Sequence, residues 1–500
     1  MSEHLTPLDA TFLELEEADD SAHMHIGAIM VFAPTPDGQV PTREQLGAHL
    51  ARRLGQLPRY GQRLSPPHVG SLSWPVWEDD PHFDMHHHVA HAALPAPGGE
   101  RELAEWASEF FSQRLDRRRP LWEMTVLEGL EDGRWALATK THHCMVDGVG
   151  SVDVGHLLLD LAAQDYDPSG SAPEPPSAGA RVTRSSGAAH ASDRPQAGPL
   201  AALARVWEGL EGFAPFGAAV QVARMGVHGA LHPREMLSNA RATVEMIVRE
   251  ELRAAPHTSL NDAIGTRRRF EVVHVPLADM RAIKSALGGT VNDVALAITA
   301  SGLRALLLSR GEAPPVQGLR AMVPMNVRMA SERLALGNKV SSLFLDLPVA
   351  EAGTLERYFE IVARSSALKA DGQQAAGTTT MLELAGLEPS VSNATIAQAL
   401  YATRLFNLTI TNVPGPQQTL YAFGAPMREI HPLVPLAAEH AVGVAIVSYD
   451  GTAFFGVIAD HDAVSDLDVM TDAMRAAAAE LLGAAQPDSR AHSRRAGSRR

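Results

Sequence analysis

The sequence predicts an α/β protein with mixed sheets, folded as two related lobes. Three observations carry that prediction. Strand-like alternation and helical periodicity follow each other along the chain with Asp-Gly hairpins among them, a pattern that builds mixed rather than purely parallel sheets. Residues 165–198, DYDPSGSAPEPPSAGARVTRSSGAAHASDRPQAG, lack apolar periodicity and cannot bury enough surface to offset their ordering entropy, so they read as a flexible linker. A strand–turn–strand unit also occurs twice: Gly133 precedes His143 by ten residues, and Gly451 precedes His461 by ten. The division that follows is an N-terminal domain over 1–164, the linker, a C-terminal domain over 199–485, and a basic, disordered tail over 486–500.

In the first domain, MHIGAIMVFA (24–33) reads as a strand, and REQLGAHLARRLG (43–55) and ERELAEWASEFFSQRL (100–115) as helices. LWEMTVLEGL, the Asp132-Gly133 turn and RWALATKTHH form a hairpin, since Asp-Gly tolerates the positive φ angles of a tight turn. A helix is expected at about 149–163. Residues 200–255 look mostly helical, and LADMRAIKSALG continues that pattern. TVNDVALAITASGLRALLLSRG opens with Thr290 and Asp293 at capping-box spacing and stops at Gly311. Strands are expected near 319–327, 339–348, 407–413, 441–449 and 452–459, and helices near 354–369 and 466–484.

The formal charge is −15 with a pI near 5.8, which argues against nucleic acid as the main partner. One cysteine, Cys144, allows no disulfide framework. The first residues contain acids and lack a basic, then apolar, leader, so no secretory signal is expected. No uninterrupted apolar window of about 18 residues occurs, which predicts no membrane span and leaves only peripheral lipid contact.

The chemistry concentrates in THHCMVDG, residues 141–148. Histidine is the one side chain whose ordinary pKa lies near neutrality, so it is the usual general base. Strand alternation points His142 and His143 to opposite sides, leaving one of them to face a cavity. Asp147 caps the following helix and shapes the loop, and Gly148 removes a Cβ where the backbone turns. In the C-terminal copy Asp147 aligns with Ser465 and Gly148 with Asp466, so the scaffold persists while the histidine pair is lost. A Cys144–histidine nucleophile pair is disfavoured, because adjacent side chains of an extended segment diverge. HFDMHHHV (82–89) reads as a polar strand edge rather than a metal centre, and no metal ligand set is expected.

HHxxxDG is the signature of the CoA-dependent acyltransferase superfamily. Together with PLDATFLELE, RRRPLWEMTVLEGLEDGRWALATKTHHCMVDG, GTRRRFEVVHVPLADMRAIKSALGGTVNDVALA and TNVPGP, the chain resembles the bacterial wax ester synthase/diacylglycerol acyltransferase family over about residues 5–484. The resemblance implies two chloramphenicol-acetyltransferase-like domains with a tunnel at their interface. It implies transfer of a long-chain fatty acyl group from acyl-CoA to the hydroxyl of diacylglycerol or of a long-chain alcohol. On that basis His143 is the general base, His142 a neighbour of secondary importance, Asp147 structural and Gly148 part of the turn. Asn292 and Asp293 hold the domain interface through capping or hydrogen bonds. Pro120, Leu121 and Trp122 pack. By position, Thr409, Thr411 or Asn412 supplies the oxyanion donor. Acyl-CoA is a co-substrate and no cofactor is expected. The protein is expected in the cytoplasm, at the inner face of the membrane or at lipid inclusions; residues 200–255 and the basic tail are candidate contacts. Two other functions stay open: transfer from a carrier-bound acyl group, and a non-catalytic lipid-droplet surface protein.

Overall fold

The computed structural model describes residues 3–5, 7–54, 57–65, 75–145, 158–163, 254–326, 340–371 and 405–486. The linker, Asp147, Gly148, most of 200–255 and the basic tail lie outside the described residues. In the first half the chain runs β1 (Glu3–His4), α1 (Pro7–Ala18), β2 (His25–Phe32), α2 (Arg43–Leu54), β3 (Gln62–Leu64), β4 (Val76–Asp79), β5 (Val89–Ala93), α3 (Glu100–Ser112), β6 (Trp122–Glu128) and β7 (Trp135–His142). The second half begins with β8 (Arg268–Pro276), α4 (Leu277–Leu287), α5 (Val291–Ser309), β9 (Leu319–Asn326), β10 (Val340–Leu347) and α6 (Thr354–Asp371). It continues with β11 (Leu408–Pro414), β12 (Tyr421–Ala422), β13 (Ala425–Leu433), β14 (Val442–Tyr449), β15 (Thr452–Asp460) and α7 (Leu467–Ala485).

Two six-stranded sheets carry the two lobes, in the orders β12-β13-β2-β7-β6-β5 and β10-β9-β11-β14-β15-β8, beside a small β1-β4-β3 sheet. The two large sheets repeat one plan. β2-β7-β6-β5 matches β8-β15-β14-β11, with antiparallel pairs throughout except the last, which is parallel in both. Both hairpins turn on Asp-Gly in the left-handed region: φ is 60° and 67° at Asp132 and Gly133, and 41° and 82° at Asp450 and Gly451. The duplicated hairpin read from the sequence is thus part of a repeated four-strand unit.

The division by sequence leaves out an exchange between the lobes. β12 and β13, from the second half, form one side of the first sheet, with Leu433 opposite Gly27 and Met427 opposite Phe32. β13 crosses β15 so closely that the Pro432 carbonyl oxygen lies 1.7 Å from where a Cβ on Gly456 would stand; only glycine fits there. At the other contact, α3 covers the edge of the second sheet. Its Ser112 and Ser108 hydroxyls accept the outward N–H groups of Arg268 (2.7 Å) and Phe270 (2.9 Å) on β8, which satisfies an otherwise open edge. Buried Lys140 closes the helix's C-terminal end, donating to the carbonyls of Phe110 (3.0 Å) and Gln113 (2.8 Å). Between the lobes lies a shared apolar core that includes Ile29, Phe111 and Ala138 from the first half and Phe270, Leu433 and Ile458 from the second.

α5 is the one described helix long and apolar enough to cross a membrane by composition, yet 72% of it is buried in the protein. It is the central helix of the second lobe, packed with α6 and α7. Of the helix expected at about 149–163, residues 149–157 lie outside the described residues, and the described end is no longer helical at Asp160, which bridges Tyr421.

Candidate active site

β7 ends at His142, and His143 begins the turn beyond it. The His142 N–H donates to the Leu121 carbonyl at 2.9 Å and the His143 N–H to the Met24 carbonyl at 2.8 Å, so the residues leading into β6 and β2 fix this end. The His142 ring is fully buried. Its Nδ1 accepts the Cys144 backbone N–H at 3.1 Å, and its Nε2 meets Glu16 Oε2 at 2.6 Å. A backbone N–H can only donate, so the ring proton sits on Nε2 and points at the carboxylate. Both nitrogens are thereby spent on structure. His142 is a brace that sets the turn on which its neighbour stands.

His143 is only half-buried, and its ring stacks on Phe12, with centroids 4.1 Å apart and planes 16° from parallel. The expectation that the two rings diverge to opposite sides fails. Alternation stops at the last strand residue, and both rings land on α1, against Phe12 and Glu16 one helical turn apart.

Glu16 was not foreseen. It is almost fully buried and also receives Arg114 Nε at 3.0 Å, with His25 Nε2 at 3.8 Å. Burial works to raise its pKa, but the hydrogen bond from His142, followed by that from the Arg114 guanidinium, outweighs it and holds the carboxyl below the ordinary carboxylate range. His23 and His25 stand beside it. Burial lowers His23 to about 4 and His25 well below the usual histidine value, so both are neutral at pH 7. The signal for Glu16 was present in PLDATFLELEEADD. Asp9, Leu13 and Glu16 share one face of α1, and an acid at a core position marks a buried partner.

The second copy shows what the brace does. Asp460 occupies the place of His142, last in its strand, and its Oδ1 accepts the N–H groups of Asp462 (3.1 Å) and Ala463 (2.8 Å). His461 donates its N–H to the Arg267 carbonyl at 3.1 Å, as His143 does to Met24. The backbone device persists there without an imidazole brace.

Cys144 is buried, and burial pushes its thiol well above the usual range, so it stays protonated and is no nucleophile. Pro120 and Leu121 are buried, and Trp122 is fully so, its Nε1 donating to the Tyr60 carbonyl at 2.8 Å and its ring stacked on His88. Packing is their role, with the Leu121 carbonyl adding a hold on His142. The 82–89 stretch is a correction: residues Met85–His87 form a short 3-10 turn ahead of β5, not a strand edge, and His88 Nδ1 bonds the Trp122 carbonyl at 2.9 Å.

Thr290 and Asp293 form the expected capping box, with the Thr290 N–H donating to Asp293 Oδ2 at 2.8 Å and the Asp293 N–H to Thr290 Oγ1 at 3.2 Å. Ser365 on α6 donates to the other carboxylate oxygen at 2.7 Å. Asn412 Nδ2 donates to Asn292 Oδ1 at 2.9 Å. These contacts tie α5 to β11 and α6 inside the second lobe; among the described contacts they do not join the two lobes as expected. The strand also separates the oxyanion candidates. Asn412 shares the helix-covered face with Ile410, whereas Thr409 and Thr411 lie opposite Gly443 and Ala445 on the face toward the first lobe. The three cannot converge on one atom. A charged cleft of about 280 Å³ lies elsewhere, lined by Arg63, His87 and Arg119 among others, and His143 is not part of it.

Known proteins share this architecture. A solved wax ester synthase/diacylglycerol acyltransferase from Marinobacter aquaeolei VT8 superposes with a TM-score of 0.65 at 26% identity, covering 96% of this chain and 99% of that one. The first condensation domain of the calcium-dependent antibiotic synthetase shares the fold at a TM-score of 0.57 and 15% identity, covering 96% of each chain. Among curated relatives, a Mycobacterium tuberculosis protein named as a probable diacylglycerol O-acyltransferase is 33% identical over 96% of this chain and 96% of its own. The wax ester synthase/diacylglycerol acyltransferase catalytic domain matches residues 5–295, and the C-terminal domain of the same family matches 336–482. Fold and histidine turn together place the chain among the two-lobed acyltransferases. It belongs to the wax ester synthase/diacylglycerol acyltransferase family.

Proposed function

We propose that this enzyme transfers a long-chain fatty acyl group from acyl-CoA to the hydroxyl of diacylglycerol, of a long-chain alcohol, or of both, with His143 as general base. The observation that carries the reading is the His143 turn: a half-buried imidazole held by Met24, Phe12 and the His142–Glu16 brace, on a chain of this family. An alcohol is a poor nucleophile until its proton leaves in the transition state. His143 takes that proton as the oxygen attacks the thioester carbonyl carbon, and a tetrahedral oxyanion forms. When the C–S bond breaks, the imidazolium returns the proton to the CoA thiolate and the ester departs. Base assistance of this kind contributes about 10²–10⁴-fold. The thioester is already activated, so the route needs neither a metal nor a covalent enzyme intermediate.

Thr411, on the face of β11 toward the first lobe, is the proposed oxyanion donor, with Thr409 behind it. Asn412 is positioning in this account, because its amide is engaged with Asn292. Asp147 and Gly148 keep their proposed roles of loop cap and turn. Both substrates are long and apolar, which supports a tunnel between the lobes. It also supports work at the inner face of the membrane or at lipid inclusions, from the cytoplasm. The test incubates the purified full-length chain with palmitoyl-CoA and either diolein or hexadecanol. Release of CoA matched by ester, without a carrier protein, is the expected result. No ester from either acceptor overturns the reading, and ester formed only from a carrier-bound acyl group replaces it with the condensation-like alternative.

A further inference from the structure

Away from the histidine turn, three potential metal ligands converge where the lobes meet: His274 on β8, and Glu429 and His431 on β13. Their donor atoms all lie within 4.8 Å of one another. Glu429 Oε2 stands 2.8 Å from His431 Nε2 and 4.0 Å from His274 Nε2. We propose that these three side chains bind a divalent cation of the zinc class and that the ion clamps the two sheets together.

Several features support a built site. Donors about 2.0–2.2 Å from a tetrahedral ion stand about 3.3 Å apart, and the separations of 2.8 and 4.0 Å bracket that value. Neither needs to change by as much as an ångström. The 4.0 Å gap is too long for a hydrogen bond, so His274 is aimed at the carboxylate without bonding to it. The other oxygen, Oε1, is held by Arg134 Nη1 at 3.1 Å, which fixes the carboxylate; Oε2 bonds His431 Nε2 at 2.8 Å, and an ion takes the place of the proton between them. Phe454 closes one side, its ring 5.0 Å from that of His274. The His274 side chain is 33% exposed and that of His431 only 6%, so an ion enters from the His274 side and keeps a water in its fourth position. Two imidazoles and one carboxylate select zinc-class ions over magnesium or calcium.

The site has a mechanical consequence. His274 belongs to the edge of the second sheet, while the other two ligands sit on a strand of the first. A bound ion therefore crosses the joint that β13 makes and resists its opening.

The test titrates chelator-treated, full-length protein with zinc against a chromophoric competitor and follows thermal unfolding in parallel. One equivalent is expected to bind with a Kd of about 1 μM or tighter, and to raise the midpoint as mass action requires. His274→Ala and Glu429→Gln should each weaken that binding by about 100-fold and abolish the shift. A double His86→Ala/His87→Ala variant, removing the other histidine run, should keep both. Wild-type protein that takes up no zinc at this affinity overturns the proposal, and so does a His274→Ala variant that retains the wild-type equivalent. Unchanged melting of wild type at saturation overturns the clamp.

Discussion

At the scale of single residues, the division of labour between two adjacent histidines rests on where their nitrogens go. His142 gives Nε2–H to Glu16 and accepts Cys144 N–H, so its removal acts through His143. The motif made the pair visible in the sequence, but not which ring was the brace, because Glu16 is 126 residues away and only folding brings it there. Glu16→Gln keeps the side chain's size and removes its charge, leaving Arg114 and His142 without their buried anion. The expected cost is about 3 kcal/mol, read from urea unfolding. Turnover should fall by about 10²-fold as the base loses its alignment. Wild-type stability together with wild-type turnover would remove the brace from the account.

At the scale of elements, periodicity located most helices and strands of the described residues to within a few positions. The reasons are local: Asp-Gly turns, a capping box, alternating apolar faces. Besides β8 and the short strands, it missed α1, because PLDATFLELEEADD spends core positions on acids, and β13, because APMREIHPL carries two prolines and charges that argue against a strand inside a sheet. Those two elements matter most for the site and the joint, one holding both histidine rings and the other linking the lobes. Gly456→Ala tests the crossing of β13 over β15. With the Pro432 oxygen 1.7 Å from the new Cβ, the strand must move, and a loss of about 2 kcal/mol or more is expected in thermal or urea unfolding. A change below about 0.5 kcal/mol would mean the crossing is slack.

At the scale of the whole molecule, the lobes are joined by exchange of a strand, by the α3 serines and by buried polar contacts around α1. Arg268 on β8 reaches the Ser21 carbonyl, beside the His23–His25–Glu16 group. That group makes the joint acid-sensitive. His23 and His25 have folded pKa values below their unfolded ones, so unfolding takes up protons once the pH drops below about 6.5. Their contribution is therefore present above that pH and is lost as the pH falls toward about 4 for His23; Glu16 adds its own loss below its ordinary range. Unfolding midpoints measured from pH 7.5 down to 4.5 (~3 units) should fall throughout the lower half of that window. A flat or rising profile would contradict the buried neutral histidines. None of this grouping was legible in sequence, since it needs both lobes in place, whereas the repeat of hairpin and histidine spacing did reveal the two-lobed plan.

Everything converges on one imidazole, so the decisive measurement is single-turnover ester formation by His143→Ala beside wild type, with circular dichroism and melting showing both folded. A fall of about 10²–10⁴-fold in the chemical step at unchanged stability is the predicted outcome. A folded variant that forms ester at the wild-type rate would contradict it.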